Sequence, residues 1–235
     1  VILEKPEKNF LKKVADICKA NGSLLIFDEM WTGFRMANGG AQEYFGIKPD
    51  LATYSKAIAN GMPLSVLTGR KEVMRLLEKD VFFYTTFGGE ALSLAAALAT
   101  MKFILKNDVV EHLNKQGKKL KDGYNKIASE LGMKYTKCSG YDFRSIITFD
   151  SSVGNPLEMK SLLQQEMIRN GILWGGFHNV SYSHTDNDVD YTLDAYKRVL
   201  PILKTAVEEN DVKKYIKGKT VEQVFRKTTN FKAVK

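Results

Sequence analysis

Leu24-Leu25-Ile26-Phe27-Asp28-Glu29 and, further on, Tyr54-Ser55-Lys56-Ala57-Ile58-Ala59-Asn60-Gly61 decide how this chain reads. Each is a short apolar segment ending on a charged side chain, a carboxylate at Asp28 and an amine at Lys56. Short apolar runs bounded by turn residues fit buried strands. In an open α/β sheet, ligands bind beyond the carboxyl ends of the strands. An acid and an amine delivered at two such ends can face each other across one crevice.

Working outward, residues 7–20 carry apolar Phe10, Leu11, Val14, Ala15, Ile17 and Cys18 at helical spacing, which predicts one buried stripe. Asn21-Gly22 supplies the stop, because both residues tolerate the left-handed turn that ends helices. Residues 24–27 then read as a fully buried strand. Helix, tight turn and buried strand make half of a βαβ unit, whose other half is expected upstream of Val1. After Asp28 comes a long loop with glycines at 33, 39, 40 and 46, of the length that is usually functional or disordered. A second strand is expected over 49–54, a turn at Asn60-Gly61-Met62-Pro63, a strand over 64–68 and a helix over 70–78. An aromatic run, Phe82-Phe83-Tyr84-Thr85-Thr86-Phe87-Gly88-Gly89, precedes a buried, alanine-rich helix over 90–104. A long amphipathic helix follows over 109–131, with Leu113, Leu120, Tyr124, Ile127 and Leu131 near one face.

The pattern then changes. Strands are expected over 133–138 and 145–149, a helix over 156–170, a short strand starting at 171–174, and a last helix over 188–209 interrupted or kinked near Pro201. The expected architecture is an α/β part over residues 1–105 and an α+β module over 106–235 that ends in a basic tail.

Composition excludes several classes of protein. The 235 residues are 44% hydrophobic and 26% charged, ordinary for a globular chain. No apolar run approaches the roughly 20 residues a membrane helix needs. The net charge of +8 is spread over apparent helix faces, and the dense basic stretch at 213–235 accompanies no nucleic-acid motif. Solvated surface is therefore expected, with neither a nucleic-acid nor a membrane partner. Cys18 and Cys138 lack metal spacing and read as free thiols of a reducing compartment. No metal site is expected, and the cytoplasm is the default location.

The chemistry rests on few residues. A lysine at the end of an apolar segment is costly to bury unless neutralised or bonded. One solution for Lys56 is an imine with an aldehyde cofactor; the bland one is an ordinary surface lysine. Asp28 could hold the nitrogen of a pyridine ring protonated, so that the ring acts as an electron sink; otherwise it is a loop acid or helix cap. Glu29 reads as a structural hydrogen-bond partner. Thr85-Thr86-Phe87-Gly88-Gly89 places hydroxyls and flexible backbone before a helix, where N–H groups can cradle a phosphate, although the same residues also make a plain turn. Arg144 is a candidate for a substrate carboxylate or for a structural ion pair. His178 and His184 could face a site or be structural.

The conjunction is more specific than its parts. Asp28-Glu29-x-x-Thr32-Gly33-Phe34-Arg35, Pro49-Asp50-Leu51, Ser55-Lys56-Ala57-Ile58-Ala59-Asn60-Gly61-Met62-Pro63 and Thr86-Phe87-Gly88-Gly89, in this order, resemble the class III aminotransferases, pyridoxal-phosphate (PLP) enzymes of fold type I. Gly39-Gly40-Ala41-Gln42 with Tyr44-Phe45-Gly46 is similar to the glutamate-1-semialdehyde aminomutase branch. The resemblance implies part of a mostly parallel-sheet large domain followed by a small α+β domain. It implies Lys56 as the imine-forming residue and proton shuttle, Asp28 as pyridinium partner, Met30 under the ring and Trp31 near the ring hydroxyl. Thr86 would reach the cofactor phosphate of a neighbouring subunit in a homodimer with shared active sites. Trp31 stands where many relatives have glutamine, and Glu90-Ala91 where Asn-Pro is usual. The phosphate cup and the aromatic ring that stacks on the cofactor would come from a part of the protein upstream of Val1.

Amino-group transfer between a small amino donor and a keto or aldehyde acceptor is therefore the expected activity. Racemisation or decarboxylation on the same fold, and a truncated non-catalytic chain, are the alternatives.

Overall fold

The computed structural model describes residues 6–222, so the far end of the basic tail lies outside the described residues. The chain divides into two compact units, one running to Lys115 and one from Gln116.

The first unit holds α1 (Phe10–Ala20), β1 (Ile26–Asp28), α2 (Ala41–Phe45), β2 (Leu51–Tyr54), β3 (Val66–Gly69), the single turns α3 (Lys71–Met74) and α4 (Leu76–Lys79), and α5 (Ala91–Lys106). α1 stops where Asn21-Gly22 requires: Gly22 adopts φ 64°, and the Ser23 amide donates to the Cys18 carbonyl at 2.9 Å. β1 pairs parallel with β2, and β2 antiparallel with β3. The Asp50 carboxylate accepts the Leu25 amide at 2.8 Å and pairs with Arg70 at 3.1 Å, tying the amino ends of the sheet together. A small cluster of Ile58, Ala59 and Ala97, lined by Phe34, Tyr54 and Met101, packs α5 beneath the segment that follows β2.

Several expectations fail here for one reason. An apolar pattern states that a face wants cover, whereas cover depends on what lies opposite. The strand is Ile26–Asp28 rather than residues 24–27, and it is not buried, with Ile26 55% exposed. α1 has its apolar stripe but no buried residue. α5 buries only Ser93, Ala97 and Ile104, leaving Leu92, Leu98 and Leu105 exposed. The helix expected over 70–78 breaks at Arg75 into two single turns.

α6 (Val109–Glu130) spans the division. The second unit continues with β4 (Thr136–Tyr141), β5 (Arg144–Phe149), α7 (Pro156–Arg169), β6 (Phe177–Asn179) and α8 (Asp186–Glu208). The three strands form an antiparallel sheet in sequence order. α7 opens with Asn155 accepting the Leu157 amide and Pro156 in the first turn. α8 opens with a reciprocal cap between Thr185 and Asp188. α8 runs through Pro201 without interruption; Val199, Leu200 and Leu203 around it are buried and hold the helix by packing. Leu120, Tyr124 and Ile127 of α6 join Met159, Leu163, Met167, Tyr196 and Leu200 in one core.

The strand expected at 171–174 is irregular, and pairing begins only at Phe177. Gly171 turns at φ 79° to end α7 and Gly176 sits at φ 97°, so the intervening residues carry Trp174 into the core instead of along a ladder. Met133 is likewise core, after a Gly132 turn, and β4 starts three residues later. Among the described residues, no helix is long and apolar enough to cross a membrane.

Candidate active site

The parallel register sets Ile26 beside Leu51, Phe27 beside Ala52 and Asp28 beside Thr53. Asp28 therefore closes β1 at the same edge where β2 ends at Tyr54, with Lys56 just beyond. Lys56 opens a 3-10 turn, Lys56–Ile58, with its own backbone at φ 49°. Such left-handed geometry is costly for a residue with a Cβ and persists where the surroundings over-determine it. Here the surroundings are visible. The Ser55 hydroxyl donates to the Leu64 carbonyl at 2.6 Å, the Asn60 amide to the Lys56 carbonyl at 3.1 Å, and Ile58 and Ala59 are buried against α5.

The loop after β1 is anchored by Glu29, which is 1% exposed. Its carboxylate accepts the amides of Ala41 and Gln42 at 2.8 and 2.9 Å, together with the Thr32 hydroxyl. Those amides lie at the start of α2, where unpaired N–H groups favour an anion. Gly33 and Gly40 have no room for a Cβ: one would meet the Tyr54 ring, the other the Glu29 carboxylate. Gln42 donates to the Tyr54 hydroxyl. Burial and the Glu29 charge raise the Tyr54 pKa. Glu29 thus has the structural role that its sequence position suggested, while Gln42 and Tyr54 carry no signal in sequence beyond a polar and an aromatic residue.

Asp28 accepts the Met30 amide at 3.0 Å, which turns the chain so that Trp31 follows directly. The Lys56 Nζ sits 5.1 Å from the centroid of the Trp31 ring. Asp28, Met30, Trp31 and Lys56 consequently belong to one strand-end region. An amine and a carboxylate at the ends of parallel strands fit a cofactor that offers an aldehyde and a basic ring nitrogen.

Thr86 lies elsewhere in the same unit, exposed in the segment before α5, and no hydrogen bond among the described residues ties it to Asp28 or Lys56. The α5 amino terminus is itself occupied: Glu90 accepts the amides of Leu92 at 2.6 Å and Ser93 at 2.8 Å. Hydrogen bonds from Ser93 and Leu92 hold its carboxyl pKa below the ordinary value. A phosphate at this helix end would meet a carboxylate in place of those two free amides, so the Thr86 hydroxyl and the backbone before Glu90 remain as its donors.

A cavity of about 490 Å³, lined by Lys19, Leu25, Lys48, Asp50 and Arg70 among others, lies at the opposite, amino edge of the sheet. Strand-end chemistry does not reach it. Among the described residues, no group of three or more His, Cys, Asp or Glu side chains gathers as metal ligands.

The remaining candidates sit in the second unit. His178 is buried, its Nε2 2.7 Å from the Tyr196 hydroxyl and its Nδ1 2.9 Å from the Ser145 hydroxyl. Burial pushes its pKa down to about 4. His184 accepts the Ser181 amide at 2.9 Å in the loop before α8. Each is held in its local structure by these hydrogen bonds. The Arg144 guanidinium lies 4.7 Å from the Phe177 ring centroid. Cys18 and Cys138 are free thiols, and burial pushes Cys138 up to about 11.

The sequence profile described as aminotransferase class-III matches residues 3–185. A glutamate-1-semialdehyde 2,1-aminomutase of Archaeoglobus fulgidus is 38% identical over 210 residues, covering 83% of this chain and 50% of that protein. A 3-aminobutyryl-CoA aminotransferase of Cloacimonas acidaminovorans is 30% identical over 205 residues, covering 86% of this chain and 49% of its own length. Among solved structures, the PLP internal aldimine form of the FumI protein of Sphingopyxis sp. MTA144 superposes with a TM-score of 0.78 at 26% identity, covering 86% of this chain and 48% of that one. An ornithine aminotransferase from Toxoplasma gondii shares the fold at a TM-score of 0.74 and 20% identity, covering 85% of this chain and 48% of its own. The fold is thus that of fold type I transaminases. The chain spans about half the length of the curated relatives it matches.

Proposed function

The chain belongs to the class-III aminotransferase family, and from that premise we propose that the whole protein moves amino groups with pyridoxal phosphate, as a transaminase or a glutamate-1-semialdehyde-type aminomutase. The observation that carries this reading is the parallel pairing of β1 with β2, which sets Asp28 and Lys56 at adjacent strand ends. When bound, pyridoxal phosphate supplies an aldehyde for an amine to hold and a protonated ring that draws electrons from a neighbouring carbon. Lys56 is the amine that holds it. Once freed, its Nζ would take the proton from the substrate's α-carbon and deliver it across the nitrogen to the cofactor's C4′. The Asp28 carboxylate accepts the ring N–H and keeps that nitrogen protonated. Met30 and Trp31 wall the same edge.

Thr86 donates its hydroxyl to the phosphate of a neighbouring subunit, which makes the working unit a homodimer. The exposed aromatic segment, with Phe82 93% exposed beside Phe83, Tyr84 and Phe87, supports a covered face there. In this reading residues 1–105 are a portion of the cofactor-binding domain and 106–235 the small domain. The substrates are a small amino donor and a keto or aldehyde acceptor, and the free thiols support a cytoplasmic location.

The test uses the full-length protein. Borohydride reduction is expected to leave a pyridoxyl mass on the Lys56 peptide, and Lys56→Ala to abolish both that mass and the yellow colour. A colourless full-length protein that carries no pyridoxal phosphate by mass spectrometry overturns the reading. Release of a keto product in an acceptor screen separates transaminase from aminomutase.

A further inference from the structure

Trp31 has an unusual neighbourhood for a half-exposed tryptophan. Asp28 and Glu29 pin the turn on which it sits, through the Met30 amide on one side and the Thr32 hydroxyl on the other. Gly33, pressed onto the Tyr54 ring, holds the same turn against β2. On the facing strand end, Lys56 is fixed by its left-handed backbone and directed at the indole, Nζ to centroid 5.1 Å. Lys56 makes no ion pair with a carboxylate among the described residues. The partner of its ammonium is therefore an aromatic face, and indole is the best such face among side chains.

From this geometry we propose that Trp31 is a positioning residue for Lys56: its ring holds the free ammonium at the carboxyl edge of the sheet, between the turns that carry Asp28 and Asn60. The inference rests on the reading of Lys56 as the reactive amine. A cation over a partly exposed indole prefers the held position about two- to fivefold. The amine must leave the ring before it attacks a carbonyl or another electrophile.

The experiment is made on full-length protein freed of cofactor. Lys56→Met keeps the side chain's length, removes its charge, and is expected to change tryptophan emission. In a Trp31→Phe background the same substitution should change nothing, which isolates Trp31 from every other tryptophan. In the second arm, Lys56 is modified with trinitrobenzenesulfonate and followed by peptide mass spectrometry. Trp31→Leu should react about two- to fivefold faster than the wild type, and Trp31→Phe, which keeps a ring face, should return most of the wild-type rate. An emission change that survives without Trp31, or equal rates in Trp31→Leu and the wild type, overturns the proposal. Cofactor loading of the same variants, read by absorbance, is a separate matter. A protein that never binds pyridoxal phosphate ends the cofactor reading while leaving both cofactor-free measurements in force.

Discussion

Lys56 occupies the left-handed region at φ 49°, where its Cβ crowds the following carbonyl. The strain sits on the one residue whose amine carries the proposed chemistry, the kind of place where stored strain is commonly found. Lys56→Gly is expected to be about 1 kcal/mol more stable than Lys56→Ala in denaturant melts of the cofactor-free protein, because glycine alone escapes the crowding. A more stable Lys56→Ala would show the backbone to be relaxed. His178 makes the second prediction at this scale. Packed among Ser145, Cys138 and Tyr196, it is held neutral, with its pKa pushed down to about 4 from an ordinary 6.5. Between those values the unfolded chain binds the proton and the folded chain does not, so stability is complete above pH 6.5 and is lost as pH falls toward 4. The loss amounts to about 3 kcal/mol at about 1.4 kcal/mol per pKa unit. His178→Gln should flatten this acid limb in pH-dependent melts, and a limb of unchanged slope would assign it to other groups.

At the scale of elements, β1 and β2 show how two weak local signals become one specific placement. Neither Asp28 nor Lys56 is distinctive alone; the parallel ladder makes them neighbours. α6 illustrates the reverse, where tertiary contact overrides a local preference. Glycine inside a helix normally costs about 1 kcal/mol relative to alanine, and α6 contains Gly117 and Gly123. A Cβ on Gly117 would overlap the backbone carbonyl of Asp142 in the β4–β5 turn, and the Asp142 carboxylate is also paired with Lys121. A Cβ on Gly123 would meet only the flexible end of Leu193. Gly117→Ala should therefore destabilise the protein by about 2 kcal/mol in spite of its better helix propensity, and Gly123→Ala by clearly less. Equal thermal shifts for the two would overturn this account of α6 packing.

At the scale of the molecule, the units differ in how much of their apolar surface is covered. The second gathers α6, α7, α8 and the antiparallel sheet around buried Tyr124, Met159 and Leu200, and the amphipathic pattern of α6 predicted its share of that core, Leu120, Tyr124 and Ile127. In the first, the apolar runs of α1, β1 and α5 were legible as runs, but their burial was not. The sequence by itself determined the helix stop at Asn21-Gly22, the order of the longer elements, and the pairing in concept of Asp28 with Lys56. All of these depend on backbone chemistry within a few residues or on recurrent strand-end topology. The tertiary structure alone decided that Glu29 anchors the loop through Ala41 and Gln42, that Glu90 takes the first amides of α5, that His178 is buried beside Tyr196, and that the Lys56 ammonium lies over Trp31. Contacts of that kind depend on the register of strands and the direction of side chains, and periodicity along a chain records which face is apolar without recording what meets it.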